Sequence, residues 1–481
     1  MENVALRARV VELTGLVESL SASVALLEAK VGGLARVAGQ DSSNSSKPPS
    51  SDGVGPRKKR AVKRAEQRAA GRSPGKQPGA PGKNLARRVP DEVVEYRPVC
   101  CSGCGSDMAD AAVVGSEVRQ VIELIPARVS VTDHVVEKRR CGCGKVQAGV
   151  FPAAAVGPVC FGPGVRALAV YLMSRQHVPV ARCRELLADV AGVEVSTGWL
   201  CAVQRDAARR LGPFDDEIRA QLKIAAVLCA DETGTRLSTG KTWVHTLANG
   251  LLTLLVAHPN RGVDALRDIG ILEAYEGTVV HDGWKSYGLL GGFTHAQCGA
   301  HFLRHLEAAG ETHANRDWVK AVTGALHAAR IAAELAGDAG ERSVPGEISA
   351  PILAAYDSAV MVAFGLCPPG PPPRLRGTGG WRNWQRDTYN LARRLRDERS
   401  QILRCLEDTR VPSTNNTAER ALRMVKLHDK ISGTFRSDDG LDAFLALRSY
   451  LQTAAKHRIN LLHALQQLFT TGPWLPPRPA T

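Results

Sequence analysis

No apolar run in the chain approaches the roughly 20 residues needed to cross a bilayer, which argues against an integral membrane protein. The N-terminus lacks the apolar core of a secretion signal, because Glu2, Arg7, Arg9 and Glu12 interrupt it. Without such a signal, the twelve cysteines are expected to be reduced thiols or metal ligands, not a disulfide framework. Acidic side chains are scarce where basic ones concentrate. Residues Gly55 to Pro90 hold twelve Lys/Arg against Glu66 alone, so a net +11 of the chain's formal +14 sits in one short segment. That excess favours a polyanionic partner, nucleic acid first. The remainder is ordinary globular material. Hydrophobic residues make up 44% of the 481 positions, enough for two or three packed domains at roughly 150 residues each.

Leu6, Leu13, Leu20, Leu27 and Leu34 recur every seven residues, and Val10, Val17, Val24 and Val31 follow the first four by four residues. Leu at d with β-branched Val at a predicts a parallel two-stranded coiled coil over residues 1–39. The alternative is one amphipathic helix packed on its own chain. Residues 40–90 are Ser-, Asn-, Pro- and then Lys/Arg-rich, cannot bury a core, and are expected to be disordered alone. Arg57, Lys58, Lys59 and Arg60 lead this basic arm, whose contacts with phosphates would be salt-sensitive and sequence-blind.

Residues 91–155 carry Cys101-x-x-Cys104 and Cys141-x-Cys143, with glycines beside each pair. Expected strands over Val118–Ile125 and Val129–Lys138 lie between them. Four thiolates in two pairs bridged by a hairpin describe a zinc ribbon holding structural Zn²⁺. Cys100 could replace Cys101, and His134 could substitute as a ligand. The cysteines at 160, 183, 201, 229, 298, 367 and 405 have no metal spacing and are expected in cores. Residues 156–215 read as helical, over Val165–Arg175, Ala181–Ala191 and Gly198–Leu211, with Ser196 or Thr197 as N-cap. The last two helices resemble a helix-turn-helix, and the second carries Gln204, Arg205, Arg209 and Arg210. A plain helical spacer is the other reading.

From residue 216 the pattern changes. An apolar run over Ile224–Ala230 ends in Asp231-Glu232-Thr233. Strands over Thr242–Ala248 and Leu251–Ala257 follow, joined by an Asn249-Gly250 turn. A helix over Gly262–Ala274 leads to a strand over Thr278–His281 that ends in Asp282-Gly283-Trp284. A three-strand meander, a helix and a further strand begin a ribonuclease H-like fold, an α/β core with a mixed sheet flanked by helices. There, acids in the first and fourth strands lie side by side and can hold divalent ions. A third acid should come from a later helix. Asn415-Asn416-Thr417-Ala418-Glu419 opens one, capped by Asn or Thr, with Glu419 sharing its face with Arg423 and Lys426. Lys430 and Arg436 extend the basic run.

These motifs together resemble the insertion sequence 66 family of bacterial DDE transposases. The matching stretches are NSSKPPSSD at 44–52, the two cysteine pairs, ADET at 230–233, HDGWKSY at 281–287, CGAHFLR at 298–304 and the segment from Asn415 to Arg436. The resemblance implies a catalytic triad of Asp231, Asp282 and Glu419. It also implies two Mg²⁺ (or Mn²⁺) ions, with Asp231 bridging both and the other two acids each holding one. Element ends would be nicked and then joined to target DNA by phosphoryl transfer. The family further implies small companion proteins of the same element, and a helical insertion between the second and third acids. The 136 residues between Asp282 and Glu419 leave room for that insertion, and Trp318–Leu335 and Ile352–Phe364 are helical in pattern. The expected organisation is a core over 216–300, a helical insertion over 301–410, the remainder of the core over 411–440 and a helical tail over 441–481. Such a chain would work in the bacterial cytoplasm on chromosomal DNA, as a homodimer or larger synaptic assembly through the coiled coil. A catalytically silent DNA-binding protein and a nuclease without strand joining are the competing readings.

Around the acids, Glu232 is a rival ligand that strand alternation points away from Asp231. Cys298-x-x-His301 has ligand spacing but no evident second pair, and is read as a DNA-end or structural contact in preference to zinc. Trp284 and Tyr287 could stack on a displaced base or pack in the core, and His281 is expected in the core. Arg304, Arg423, Lys426, Lys430 and Arg436 are candidate phosphate contacts.

Overall fold

The computed structural model describes residues 87–478 apart from 123–128, 153, 154, 156, 239 and 377. The expected coiled coil, most of the basic linker and Arg57, Lys58, Lys59 and Arg60 lie outside the described residues. The chain divides into two compact units, Met1–Glu123 and Leu124–Thr481.

In the first unit the Cys101–Cys104 segment closes a knuckle. The Gly105 N–H donates to Cys101 O at 2.8 Å and the Cys101 N–H to Ser106 O at 2.9 Å. Gly105 takes φ +77°, which an L side chain rarely adopts. The second unit opens with a short antiparallel hairpin, β1 (Lys138–Arg140) with β2 (Val146–Ala148), wrapped around Cys141-Gly142-Cys143. The strands expected over Val118–Ile125 and Val129–Lys138 do not form among the described residues. Val118, Val121, Val131 and Val135 stay exposed. β-branched residues favour strands only where a sheet face packs against something.

Four helices follow: α1 (Pro163–Val170, continued by a π-helical turn over Tyr171–Arg175), α2 (Val180–Ala191), α3 (Thr197–Arg209) and α4 (Gly212–Lys223). Ser196 caps α3, accepting from the Trp199 N–H at 3.0 Å. The polar face of α3 keeps Arg205, Arg209 and Arg210 exposed. Arg209 and Arg210 pair with Asp206, and Gln204 donates to Ser174.

The central sheet has five strands in the order β5-β4-β3-β6-β7. These are β3 (Val227–Leu237), β4 (Gly240–Ala248), β5 (Thr253–His258), β6 (Thr278–His281) and β7 (Thr294–Gln297), with the short helix α5 (Val263–Asp268) before β6. β3, β4 and β5 form an antiparallel meander, and β6 and β7 add parallel to β3. β3 is therefore central and buried on both faces. Leu228 and Ala230 join the core built with Phe214, Ile218 and Leu222 of α4. Cys229 packs on the other side with Val280 and Ala418. β3 runs on through Asp231, Glu232 and Thr233 to Leu237, past the expected end of the apolar run.

After the last strand come helices α6 (Gly299–Ala309), α7 (Arg316–Asp338), α8 (Gly346–Gly365) and α9 (Asn383–Asp397), which share their own core. α8 departs from the expectation about apolar runs: by length and composition it is apolar enough to cross a bilayer. It packs through Tyr356, Ala359, Val360 and Ala363, and its Asp357 is ion-paired with Arg399 at 2.6 Å. The chain returns to the sheet with α10 (Asn416–Ser432), α11 (Asp438–Lys456) and α12 (Leu461–Leu468). Ala418, Ala421, Leu422 and Val425 recur at helical spacing and press α10 onto the sheet. α11 carries buried residues on several sides, with Phe444 and Leu445 in one core and Leu447 and Tyr450 in another. The expected tail is thus part of the sheet's packing.

Candidate active site

Asp231 lies mid-way along β3, opposite Thr246 of β4. Its Oδ1 accepts the N–H of Glu232 at 2.9 Å. Burial, then the neighbouring Glu232 carboxylate, and also those of Asp282 and Glu419, push its carboxyl up to about 7. The other two expected acids are therefore near enough to Asp231 to add to its shift. Asp282 follows the last residue of β6, where its Oδ1 accepts the Trp284 N–H at 2.8 Å. The turn needs Gly283, which takes φ +84°; a Cβ there would lie 2.7 Å from Gln297 Oε1. His281 Nδ1 accepts the Gly283 N–H, so its Nε2 carries the proton that bonds His295 Nδ1 at 3.0 Å. Burial holds His281 neutral, with its pKa lowered to about 3.

Glu419 sits in the first turn of α10, and its Oε1 is buried without a hydrogen-bond partner. The helix is not capped by a side chain. Asn415, fully buried, instead uses Nδ2 to donate to Ala230 O at 2.7 Å, one residue before Asp231. Its backbone N–H donates to Cys298 Sγ at 3.2 Å. Asn415 therefore fixes the start of α10 against β3, and so fixes Glu419 relative to Asp231. The residue type suggested a cap, which hid this role.

Glu232 is removed from competition as a ligand. Its side chain is 2% exposed and held by Arg261 at 2.8 Å and by the Tyr287 hydroxyl at 2.9 Å. Burial raises its pKa, against the pull of Arg261. Tyr287 is thus a core residue, stacked on His281. Trp284 is 40% exposed with the Arg261 guanidinium 3.9 Å over its ring.

Among the described residues, the donors that lie within 4.8 Å of one another are Cys298, His301 and Glu419, not the three acids. His301 Nδ1, like Glu419 Oε1, is buried without a partner. A thiol, an imidazole and a carboxylate form a mixed set suited to a zinc-like ion. Sequence spacing gave the first two; the third comes from a helix far down the chain. Burial and then Arg304 lower the His301 pKa, and Arg394 of α9, which was not anticipated, adds a smaller push in the same direction.

Arg304, Arg423, Lys426, Lys430 and Arg436 are all exposed. Arg423 lies 3.7 Å from Glu419, and Lys426 donates to Gly234 O of β3. In the first unit, hydrogen bonds from Ser106 lead in lowering the Cys104 pKa to about 7. In the second, the Cys143 N–H leads in lowering that of Cys141. Both shifts favour thiolates, the form that binds metal. Of the cysteines expected in cores, 183, 229, 298 and 405 are buried, 201 and 367 are half-buried, and 160 is exposed.

Comparison with known families places these features. Residues 158–443 match a family described as Transposase IS66 family, which makes the protein a transposase. Residues 98–144 match the zinc-finger binding domain of transposase IS66, a range that holds both cysteine pairs. The chain belongs to the IS66 family of transposases. Its zinc-finger domain supports a structural Zn²⁺ and binding to DNA. Residues 2–86 match a family of unknown function. No curated protein matches the chain.

Proposed function

We propose that the chain cuts and joins DNA at the ends of an insertion sequence, using Asp231, Asp282 and Glu419 as a DDE triad that holds two divalent ions, Mg²⁺ or Mn²⁺. The observation that carries this reading is the neighbourhood of Asp231: a carboxyl raised first by burial and by Glu232, with smaller contributions from the carboxylates of Asp282 and Glu419. The Oε1 of Glu419 is also buried without a hydrogen-bond partner, although Arg423 lies 3.7 Å from its other oxygen, and the oxygen donors of the three acids suit Mg²⁺. The three acids sit on the first strand, after the fourth strand and on a late helix. A meander continued by two parallel strands supports a ribonuclease H-like core.

When bound, divalent ions would supply Lewis-acid stabilisation of the phosphodiester oxygens. The protein's own contribution is placement. Asp231 must give up its proton to serve as a ligand. Asn415 orients Glu419, and the Arg261–Glu232–Tyr287 cluster stiffens the wall beside Asp231. Arg304, Arg423, Lys426, Lys430 and Arg436 supply phosphate contacts around the acids, and Arg57, Lys58, Lys59 and Arg60 supply them from the linker. Cys101, Cys104, Cys141 and Cys143 hold the structural zinc. The coiled coil over 1–39 pairs two copies for synapsis on the bacterial chromosome, with companion proteins of the element as further partners.

Asp231→Asn, Asp282→Asn and Glu419→Gln should each abolish strand joining in a plasmid transposition assay while DNA binding persists. Full activity in any one of them would remove that acid from the triad. Loss of no activity in all three, with DNA binding intact, would favour the silent DNA-binding reading. Nicked products without joined ones in the unmodified protein would favour the nuclease.

A further inference from the structure

On α10, one residue past Glu419, Arg420 borders a second feature that the acids do not use. A recess of about 350 Å³ opens between the start of α10, α11, the end of the π-helical turn and the β4–β5 connection. Arg175, Arg420, Arg448 and Lys456 line it, and no carboxylate does. Four cations gathered without an acid repel one another, so the arrangement is stable only with an anion or with strong internal hydrogen bonding.

The internal hydrogen bonding is incomplete. Arg448 is 1% exposed and donates from one terminal nitrogen to Ser174 O and Arg175 O at 3.1 and 3.3 Å. Its Nε is buried with no partner, and so is Nε2 of Gln452 beside it. Lys456 donates to Asn249 O and Leu252 O, each at 2.6 Å, which leaves one of its three N–H groups over. Burial lowers the pKa of Arg448 to about 9 and that of Lys456 to about 8; both still carry charge at pH 7, at a desolvation cost that an anion would offset. Thr417, in the first turn of the 17-residue helix α10, also lines the recess, adding the positive end of that helix.

We propose that this recess is an anion site that takes a phosphate group of DNA, engaged by Arg175, Arg420, Arg448, Lys456 and Gln452. Its position suits a backbone contact beside the proposed chemistry. Asn249 on its wall follows Thr246, the partner of Asp231, by three residues, which is about 10 Å of strand. A bound strand would then be gripped at one phosphate by the recess while another lay at the acids. The anion site stands on its own geometry; naming the anion as DNA rests on the function proposed above.

Two measurements on the full chain test this, using Arg420→Gln and Arg175→Gln. Both side chains lie toward the rim, and neither is fully buried. The first is the thermal midpoint with and without inorganic phosphate at constant ionic strength. The unmodified protein should be stabilised by phosphate, and each variant should lose most of that gain. The second is fluorescence anisotropy of a labelled DNA duplex across a salt series. Losing one phosphate contact should weaken binding about 5–10-fold at 0.1 M salt and lower the log–log salt slope by about 0.9.

Loss of both responses in the variants supports the proposal. No phosphate stabilisation of the unmodified protein overturns the recess as an anion site, even if the DNA slope falls, because removing any surface charge can do that. Phosphate stabilisation that the variants lose, with DNA affinity and slope unchanged, overturns DNA as the source of the anion. Neither measurement requires strand joining. The triad and the recess can therefore fail separately.

Discussion

Replacing Asn415 by Ala tests the link between fold and site. The side chain is fully buried, and its Nδ2 makes a 2.7 Å bond to Ala230 O. Ala cannot replace that bond, so a buried carbonyl is left unpaired at a cost of about 1–3 kcal/mol. A second effect opposes it: Asn415 Oδ1 is itself buried without a partner, and removing it relieves part of an existing penalty. The net loss should be about 1–2 kcal/mol, a fall in thermal midpoint of roughly 1–3 °C for a unit of this size. Asn415→Asp should be worse at pH 7, because a carboxylate has no proton to donate to Ala230 O and is buried without a counter-charge. It should approach the Ala variant as pH falls and the carboxyl protonates. Urea unfolding followed by tryptophan fluorescence, with transposition measured in parallel, would check both. The stability loss should be accompanied by a larger loss of joining than of DNA binding, since Glu419 is displaced. If Asn415→Ala lies within 0.5 kcal/mol of the unmodified protein and Asn415→Asp is no worse, the tie between α10 and β3 is not what positions Glu419.

Other perturbations have defined outcomes. Arg261→Ala leaves Glu232 buried without its ion pair and should cost roughly 2–3 kcal/mol. That is less than for a dry pair, because Arg261 is 30% exposed and Glu232 can take up a proton. No loss in chemical unfolding would mean that Glu232 is already neutral. His177 and His428 are held neutral by burial, with pKa values lowered to about 4, and His281 to about 3. The unfolded chain takes up these protons near pH 6.5 while the folded one refuses them. Stability should therefore fall as pH drops from 6.5 toward 4, by up to about 1.4 kcal/mol per pH unit for each histidine. His428→Phe, which keeps the stacking on Phe435, should flatten part of that decline, and stability that is flat with pH would contradict the assignment. Cys101→Ser and Cys143→Ser should each lower bound zinc, measured by elemental analysis. Undiminished zinc in both would point to other ligands.

The sequence was most informative where pattern and chemistry agree. The strand over Thr278–His281 was legible because a short apolar run stops at a turn-forming Asp-Gly. The helices over Arg316–Asp338 and Gly346–Gly365 were legible from long apolar periodicity. β3 was underestimated because periodicity has no way to foresee polar residues satisfied by distant partners. Thr235 reaches Asp429 of α10, and Glu232 reaches Arg261 and Tyr287. The ribbon strands were overestimated for the opposite reason, since their valines have the right shape but nothing to pack on. The candidate acids could be named from their places in the pattern. Their supports could not, because Asn415, Arg394 and the third member of the Cys298–His301 group are joined only by tertiary packing. The four-cation recess was likewise invisible: its residues come from four separate segments.

The most direct test of the central claim is to locate bound divalent metal. Crystals of the protein grown with Mn²⁺ and a DNA duplex, measured for anomalous scattering, should show manganese among Asp231, Asp282 and Glu419, and none there in the Asp231→Asn protein. Manganese bound only to Cys298, His301 and Glu419, or nowhere near Asp231 and Asp282, would contradict the assignment of the three acids as the metal-holding triad.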